Sequence, residues 1–279
     1  MGDAARRNST RTDGAEPVAR RMWRLCEPVH ALIYFAPGSL RATADLGPSF
    51  WSRYVAQRAA PLGPVPAAVV VAAFGGFAPD RIVDALAGVT VPPEVALGRR
   101  LTGIDAAWRE LGLPDDGSVR EAADLAWEAA QACEDAGRVL GAANRALPRP
   151  AEAHLALWQA TTTLREHRGD GHLAALAVHG VSPIGSHVLK VLAGESPERD
   201  LRLGRRLPDD GWEAALARYS PEEAAALHTA VEDATDRAAA GPWAALGAAR
   251  TERLAALLAP IAESCWTVVP SPNPVGLTR

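Results

Sequence analysis

The densest group of reactive side chains in the chain is an octapeptide that lies between two apolar runs. Six of its eight residues are ionisable and two are glycines: Arg165, Glu166, His167, Arg168, Gly169, Asp170, Gly171 and His172. A buried charge needs a partner, so two guanidiniums, two carboxylates and two imidazoles this close together indicate a buried polar site. A salt-bridged helix terminus would have the same composition and is the structural alternative. The glycines predict a flexible loop, after which an apolar helix begins at His172.

Two histidines are candidate metal ligands. His30 lies in the apolar helical pattern of residues 29–35, where a neutral imidazole facing a hydrophobic pocket could bind a haem iron. The alternative is a core histidine that is hydrogen-bonded to a carbonyl. His172 stands at the border of an apolar segment, which suits a metal ligand or an acid–base group. Tyr34 shares the helix face of His30, and Tyr34 and Asp170 are the candidate catalytic residues.

Three arginines are candidates for binding an anionic group, because a guanidinium can donate two parallel hydrogen bonds to a carboxylate. They are Arg58, Arg165 and Arg168, and the anions would be haem propionates or a substrate carboxylate. The alternative is that the octapeptide arginines pair with Glu166 and Asp170.

Four carboxylates are candidates for binding a guanidinium substrate. They are Glu27, Glu166, Asp233 and Asp236. Charge-assisted hydrogen bonds from a guanidinium to paired carboxylates are among the stronger polar contacts in proteins. Asp233 and Asp236 are three positions apart and would share a helix face, where a surface acidic stripe is the alternative.

Composition limits the classes of function. The chain has 279 residues and a formal net charge of −4, so it lacks the positive field that gathers nucleic acid. This weighs against a nucleic-acid partner. Its three cysteines, Cys26, Cys133 and Cys265, are far apart and odd in number, which favours a reducing cytoplasm. The longest apolar run, residues 65–73, is too short for a membrane span.

A repeated pentapeptide indicates a duplication. Residues 97–101 and residues 203–207 both read Leu-Gly-Arg-Arg-Leu. They predict two repeats over residues 17–147 and 148–266, joined by the proline-containing linker 147–150. A disordered tail at 1–16 and a C-terminal tail at 267–279 would flank them.

Helical periodicity predicts a mainly α fold made of two tandem winged-helix-derived repeats with reduced wings. The predicted helices of the first repeat span residues 19–36, 50–60, 66–74, 79–87, 93–111 and 119–147. The second repeat follows the same order in a shorter form.

Four motifs resemble those of an actinobacterial helix-turn-helix-like family. They stand at residues 27–35 (EPVH…YF), 58–64 (RAAPLGP), 164–172 (LREHRGDGH) and 234–243 (ATDR…PW). The resemblance covers residues 18–260. It implies a helix-turn-helix fold, which does not by itself give a function.

The chain is also similar to the haem-dependent L-arginine hydroxylases of D-cycloserine biosynthesis. That resemblance implies a haem-binding monooxygenase that hydroxylates a guanidinium nitrogen of L-arginine, giving Nω-hydroxy-L-arginine for antibiotic biosynthesis. It further implies His30 or His172 as the axial ligand, L-arginine as the small-molecule substrate, and an electron-donor partner.

Two other classes of function stay open. A helix-turn-helix transcriptional regulator would bind a small molecule between the repeats and present polar side chains to the major groove. The helices that open at Pro79 and Pro183 offer side chains for this purpose: Asp80, Arg81, His187 and Lys190. A silent ligand-binding or scaffold protein would share the buried site but would tolerate the loss of any single polar residue there.

Overall fold

The computed structural model of the chain describes residues 16–270 and 273–277. Within those residues it consists of fifteen α-helices and two short 3₁₀ turns, with no β-strand. The predicted mainly α fold is confirmed. The predicted tail at 1–16 lies outside the described residues except for Glu16, which forms an ion pair with Arg24.

Eight helices precede the linker; five of them match predicted spans within a residue at each end, and the short second helix was not predicted. They are α1 (Val18–Phe35), α2 (Pro37–Ala42), α3 (Phe50–Ala59), α4 (Ala67–Ala73), α5 (Pro79–Ala87), α6 (Pro93–Glu110), α7 (Gly117–Gln131) and α8 (Val139–Arg145). The 3₁₀ turns are Ala44–Leu46 and Ala60–Leu62. The long helix predicted over 119–147 is wrong in one respect, because the chain leaves the helical conformation between α7 and α8.

Seven helices follow the linker. They are α9 (Ala153–Val178), α10 (Pro183–Leu192), α11 (Glu198–Arg205), α12 (Asp209–Leu216), α13 (Pro221–Ala238), α14 (Gly241–Leu246) and α15 (Ala248–Trp266). Proline opens several of these helices, where its missing N–H would have had no helical partner.

Helix α9 is the centre of the molecule. It runs for 26 residues and packs against α1, α6, α7, α8 and α13, so most of its circumference is buried. The charged octapeptide lies inside this helix, and the prediction of a flexible loop ending at His172 is wrong. The charges are compatible with a buried helix because side chains on neighbouring helices pair with them.

One glycine of the octapeptide, Gly171, allows close packing between helices. A Cβ atom at Gly171 would lie 2.1 Å from Nη1 of Arg138 and 3.2 Å from Cβ of Ala238. Arg138 donates from Nη1 to the His167 carbonyl and from Nη2 to the Ala238 carbonyl. The arginine therefore links α9 to α13 through the space that the missing side chain leaves.

Replacing Gly141 by alanine is expected to destabilise the fold by about 1–3 kcal/mol. Its added Cβ would lie 2.9 Å from Cα of His167, where α8 meets α9, and a backbone atom cannot rotate aside. Gly98 in α6 is the matched control, since nothing lies within 4 Å of its added Cβ. There, alanine should stabilise the exposed helix by about 0.5–1 kcal/mol. Urea unfolding compares the two variants, and equal effects would contradict the close α8–α9 contact.

One hydrophobic core joins the two halves of the chain. A continuous cluster of buried apolar side chains extends from Ala19 to Val275 and includes Trp108 of α6 and Trp158 of α9. The two pentapeptides differ in conformation: residues 97–101 lie within α6, whereas residues 203–207 include the end of α11 at Arg205 and the left-handed residue Arg206, whose φ is 54°. The division into two repeats stays a prediction.

The residues after α15 pack back onto the body of the protein. Val275 is buried, and its carbonyl accepts a hydrogen bond from Nη2 of Arg205 at 2.9 Å. Gly204 lies against this segment so closely that an added Cβ would be 2.2 Å from the Pro274 carbonyl oxygen. The C-terminal segment thereby contributes to the wall of the cavity described below.

No single helix in the described residues is long and apolar enough to cross a membrane. Two sharply bent helix pairs meet the length and composition requirement only jointly: Phe50–Leu62 with Ala67–Ala73, and Ala153–Val178 with Pro183–Leu192.

Candidate ligand-binding site

A cavity of about 480 Å³ lies beside the central helix α9, and we call it the site cavity. Its wall combines α1, α3, α9, α10, α11 and α13 with the loop at residues 74–77 and the segment 275–277. Polar side chains dominate this wall: Arg20, Arg24, Glu27, His30, Tyr34, Tyr54, Arg58, Arg165, Arg168, His172, His187, Lys190, Glu195, Arg205 and Glu232.

Helices α1 and α9 each present one face to the site cavity. Residues three, four and seven positions apart lie on one side of a helix. The lining residues of α9 are Arg165, Arg168, Gly169, His172, Leu173 and Leu176. Those of α1 are Arg20, Trp23, Arg24, Glu27, His30 and Tyr34. The helical conformation thus divides the octapeptide between the cavity and the packing surface against α8.

Glu166 is the anion at the centre of one ion-pair network behind the cavity wall. Arg58 donates from Nε and Nη2 to its two carboxylate oxygens at 2.7 and 2.8 Å, and Nη1 of Arg165 donates at 2.9 Å. Arg165 also donates from Nε to Glu27, which accepts a bond from the Trp23 indole. Burial alone would raise the pKa of Glu166, but the guanidiniums of Arg58 and Arg165 hold it well below its usual range.

A second network surrounds Arg168. Its Nη2 donates to Glu232 at 2.9 Å and to Asp236 at 3.0 Å, and Arg20 donates to the other oxygen of Asp236 at 2.8 Å. Burial would raise the pKa of Glu232, but nearby cations, led by Arg168, lower it to about 2. The octapeptide arginines are therefore paired, as the structural alternative expects, although Arg168 pairs with these carboxylates and not with Asp170.

His30 is a buried, neutral imidazole on the cavity wall. Its Nδ1 lies 3.1 Å from Oγ1 of Thr162, and its ring stands edge-on to Tyr34 with 5.3 Å between ring centroids. Burial, reinforced by the charge of Arg165, lowers the pKa of His30 to about 3. Burial also raises the pKa of Tyr34, so its phenol is protonated at neutral pH.

His172 has a defined tautomer. The Thr235 hydroxyl donates to the Val231 carbonyl at 2.8 Å, so it must accept the proton on Nδ1 of His172, which lies 3.0 Å away. The lone pair is then on Nε2. Burial and the charge of Lys190 lower the pKa of His172 to about 4, so this lone pair is available at neutral pH.

Two cations on the cavity wall have no carboxylate partner within the described residues. Arg205 donates to the carbonyls of Gly76 and Val275, and its buried Nε has no partner. Lys190 makes neither a hydrogen bond nor an ion pair in that part of the chain, although it lines the cavity. Burial lowers the pKa of Arg205 to about 10 and also lowers the pKa of Lys190. Both side chains are partly buried, and a cation that is partly removed from water without a counter-ion is unfavourable, so an anion would be stabilised here.

Four of the predicted site residues do not line the site cavity: Glu166, Asp170, Asp233 and Asp236. Glu166 and Asp236 are held in the two ion-pair networks described above. Asp170 accepts a hydrogen bond from the backbone N–H of Gly141 at 2.8 Å, in the first turn of α8, and burial raises its pKa to about 6. Asp233 is exposed and lines a separate groove of about 530 Å³. Lining residues that the sequence analysis did not propose are Arg20, Trp23, Tyr54, Glu195, Arg205 and Glu232.

Three of the four side chains considered for reading DNA bases face the cavity or another helix, and the fourth, Asp80, is exposed. His187 and Lys190 of α10 line the site cavity, and Nε2 of His187 donates to the Gly76 carbonyl at 2.8 Å. Arg81 of α5 donates to the Leu203 carbonyl at 3.1 Å. These residues therefore position the cavity wall and the α5–α11 contact.

The fold and the site define a helical protein with a charged cavity beside its central helix. The sequence profile of a helix-turn-helix family matches residues 19–270, and the chain belongs to this helix-turn-helix family. No curated protein and no solved structure matches the chain.

Proposed function

We propose that the protein is a transcriptional regulator whose effector is a small anionic molecule bound in the site cavity. One observation carries the proposal: Lys190 and Arg205 line the cavity without a carboxylate partner in the described residues. Membership of a helix-turn-helix family supports DNA binding as the activity that this effector would control.

The other cavity cations are already neutralised, which locates the anion at these two residues. Each of five arginines on the wall has a carboxylate within ion-pair distance: Arg20, Arg24, Arg58, Arg165 and Arg168. An anion placed among them would compete with internal carboxylates. An anion beside Lys190 and Arg205 would instead supply a missing counter-ion.

Thermal unfolding with added anions tests ligand binding. Phosphate, succinate and phenyllactate are compared at constant ionic strength, with sodium chloride as the reference. A ligand that binds only the folded state raises the melting temperature. We expect at least one of these anions to raise it in the wild type and not in Arg205→Gln. Identical melting curves in all four solutions would contradict the proposal.

Replacing Lys190 by methionine is expected to stabilise the ligand-free protein by about 1 kcal/mol and to abolish the stabilisation by anions. Methionine has a similar length and removes a buried charge that has no counter-ion. Arg218→Met is the control, because Arg218 is an exposed cation outside the cavity. Thermal melts with and without phenyllactate measure both effects. A destabilised Lys190→Met that still responds to phenyllactate would contradict the assigned role.

DNA binding is tested separately, by fluorescence anisotropy with a duplex that covers the promoter of the protein's own gene. Several surface arginines are paired with carboxylates, including Arg99 with Asp45 and Arg253 with Glu121. We therefore expect few phosphate contacts and a shallow dependence on salt. Binding should change when the cavity anion is added. Equal affinity for a random duplex, with and without the anion, would favour a silent ligand-binding protein.

A second candidate function is the haem-dependent hydroxylation of L-arginine. The observation that favours it is the pair of neutral imidazoles, His30 and His172, on one cavity wall. The arginines proposed for the propionates are already paired, which leaves Lys190 and Arg205 to hold them. An absorption spectrum of protein expressed with a haem precursor tests this function. A Soret band that changes in His172→Ala would support it, and a colourless protein that takes up no hemin would exclude it.

A further inference from the structure

We propose that Lys190 forms an imine with the carbonyl carbon of an oxo acid held in the site cavity, with the carboxylate of that acid beside Arg205. This inference rests on the proposed anion site and names the chemical class of its ligand. It also assigns covalent capture to a residue that would otherwise serve only as a charge.

The amino-acid composition singles out Lys190. The chain contains 29 lysines and arginines, and Lys190 is its only lysine. Arginine would satisfy an anion site with more hydrogen bonds and a permanent charge. A lysine brings one property that arginine lacks, a primary amine that can lose its proton and attack a carbonyl. The only such side chain in the protein stands on the wall of the site cavity.

The surroundings of Lys190 make its ammonium group easier to deprotonate than that of an ordinary lysine. Among the side chains that the structure describes, none forms a hydrogen bond or an ion pair with its ammonium group, which lines the site cavity. Arg205 and Arg168 add positive charge near it, while Glu232 and Glu195 add negative charge. Burial is the largest influence, and the net effect is a lowered pKa.

His172 is placed to handle the protons of the reaction. His172 and Lys190 both line the site cavity, and after burial the charge of Lys190 is the largest influence that lowers the pKa of His172. Nε2 of His172 carries the lone pair, because Nδ1 donates to Thr235. Its Nε2 can accept a proton from the Lys190 ammonium before the amine attacks.

The chemical balance is that of a condensation without oxidation or reduction. The amine nitrogen forms a bond to the carbonyl carbon while the π bond of the C=O group breaks. The resulting alkoxide oxygen takes a proton from the attacking nitrogen, which gives a neutral carbinolamine. The imidazolium of His172 then returns its proton to that hydroxyl, which leaves as water while the C=N bond forms. Hydrolysis reverses each step, so capture is reversible.

The cavity also indicates the rest of the ligand. Arg205 lies over the ring of Phe77 at 4.4 Å from its centroid, so an apolar surface adjoins the carboxylate position. Phe74, Leu173 and Leu176 continue that surface on the cavity wall. A 2-oxo acid with an apolar side chain, such as phenylpyruvate, combines the three required features.

Reductive trapping tests the imine on the full chain. The protein is incubated with phenylpyruvate and cyanoborohydride, and adducts are measured by intact mass and located by peptide mapping. We expect one adduct on Lys190 in the wild type and none there in Lys190→Arg, which keeps the charge. His172→Gln, in which Lys190 is retained, should slow the trapping at that lysine. An adduct confined to the N-terminal amine, or equal trapping in Lys190→Arg, would overturn the inference.

Phenyllactate separates failure of the imine from failure of the anion site. It has the carboxylate and the phenyl group of phenylpyruvate but no keto group. Stabilisation by phenyllactate without trapping of phenylpyruvate would overturn the imine and leave the anion site standing. Trapping at Lys190 without stabilisation by phenyllactate would support the imine and contradict the separate anion site.

Discussion

Replacing Glu166 by glutamine is expected to destabilise the protein by about 3–5 kcal/mol, the cost of leaving buried charges without a partner. Glu166 is only 1% exposed and accepts hydrogen bonds from both Arg58 and Arg165. Glutamine keeps the shape of the side chain but removes its charge and half of its acceptor capacity. Arg58 would lose its ion pair, because Glu166 is the carboxylate that it contacts.

Urea unfolding at pH 7.5 measures the loss. Glu121→Gln is the control, because Glu121 also pairs with an arginine, Arg253, but does so at the exposed surface. Solvent screens such a pair, so its loss should leave the unfolding midpoint nearly unchanged. A Glu166→Gln protein as stable as Glu121→Gln would contradict the buried network that we describe around α9.

Acidification from pH 7.5 to 4.5 is expected to destabilise the protein through its buried histidines. Burial, together with nearby cations, lowers the pKa of His30 to about 3 and the pKa of His167 and His172 to about 4. The unfolded chain binds protons at these residues near pH 6.5, whereas the folded protein does not. Stability is therefore complete above about pH 6.5 and falls by about 1.4 kcal/mol per pH unit for each such histidine below it.

Two variants should change the loss of stability in acid in opposite directions. His30→Gln removes one titrating histidine, so its stability should fall less steeply between pH 6.5 and 4.5. Asp170 has the opposite effect on stability in acid. Burial raises its pKa to about 6, so on acidification the folded protein binds a proton at Asp170 before the unfolded chain does. Asp170→Asn should therefore lose stability more steeply in acid. Urea midpoints across this range that coincide for wild type and both variants would contradict these charge states.

The helices of the first half could be predicted from sequence because their apolar residues repeat with helical spacing. The observed α5 matches the predicted span at both ends, and α1, α3, α4 and α6 match it within a residue at each end. Prolines near the first turn of several helices marked where they begin. The interruption between α7 and α8 has one signal that the prediction did not use: Gly137, whose φ of 70° lies outside the helical region.

The octapeptide is hard to interpret from sequence because local propensity and tertiary packing disagree there. Two glycines within three residues disfavour a helix, but Gly171 leaves the space that Arg138 occupies between α9 and α13. Once a helix is assumed, the spacing of Arg165, Arg168 and His172 places them on one face. The pairing of Arg58 with Glu166 joins residues 108 positions apart, and only the folded chain reveals it.

Lys190 has a signal in the amino-acid composition. A lone lysine among so many arginines identifies a position where an amine differs in function from a guanidinium. The sequence does not reveal the surroundings of this residue. Only the structure shows that Lys190 lines a cavity together with His172 and that it has no counter-ion within the described residues. Asp233 is the converse case, since its spacing from Asp236 is helical while its side chain faces solvent.

Calorimetric titration of phenyllactate tests the central claim, that an anion binds in the site cavity at Lys190 and Arg205. We predict saturable binding of one molecule per chain to the wild type, with the heat of binding lost in both Lys190→Met and Arg205→Gln. The Arg218→Met control should bind as the wild type does. No heat with the wild type, or equal binding by wild type and both cavity variants, would contradict the claim.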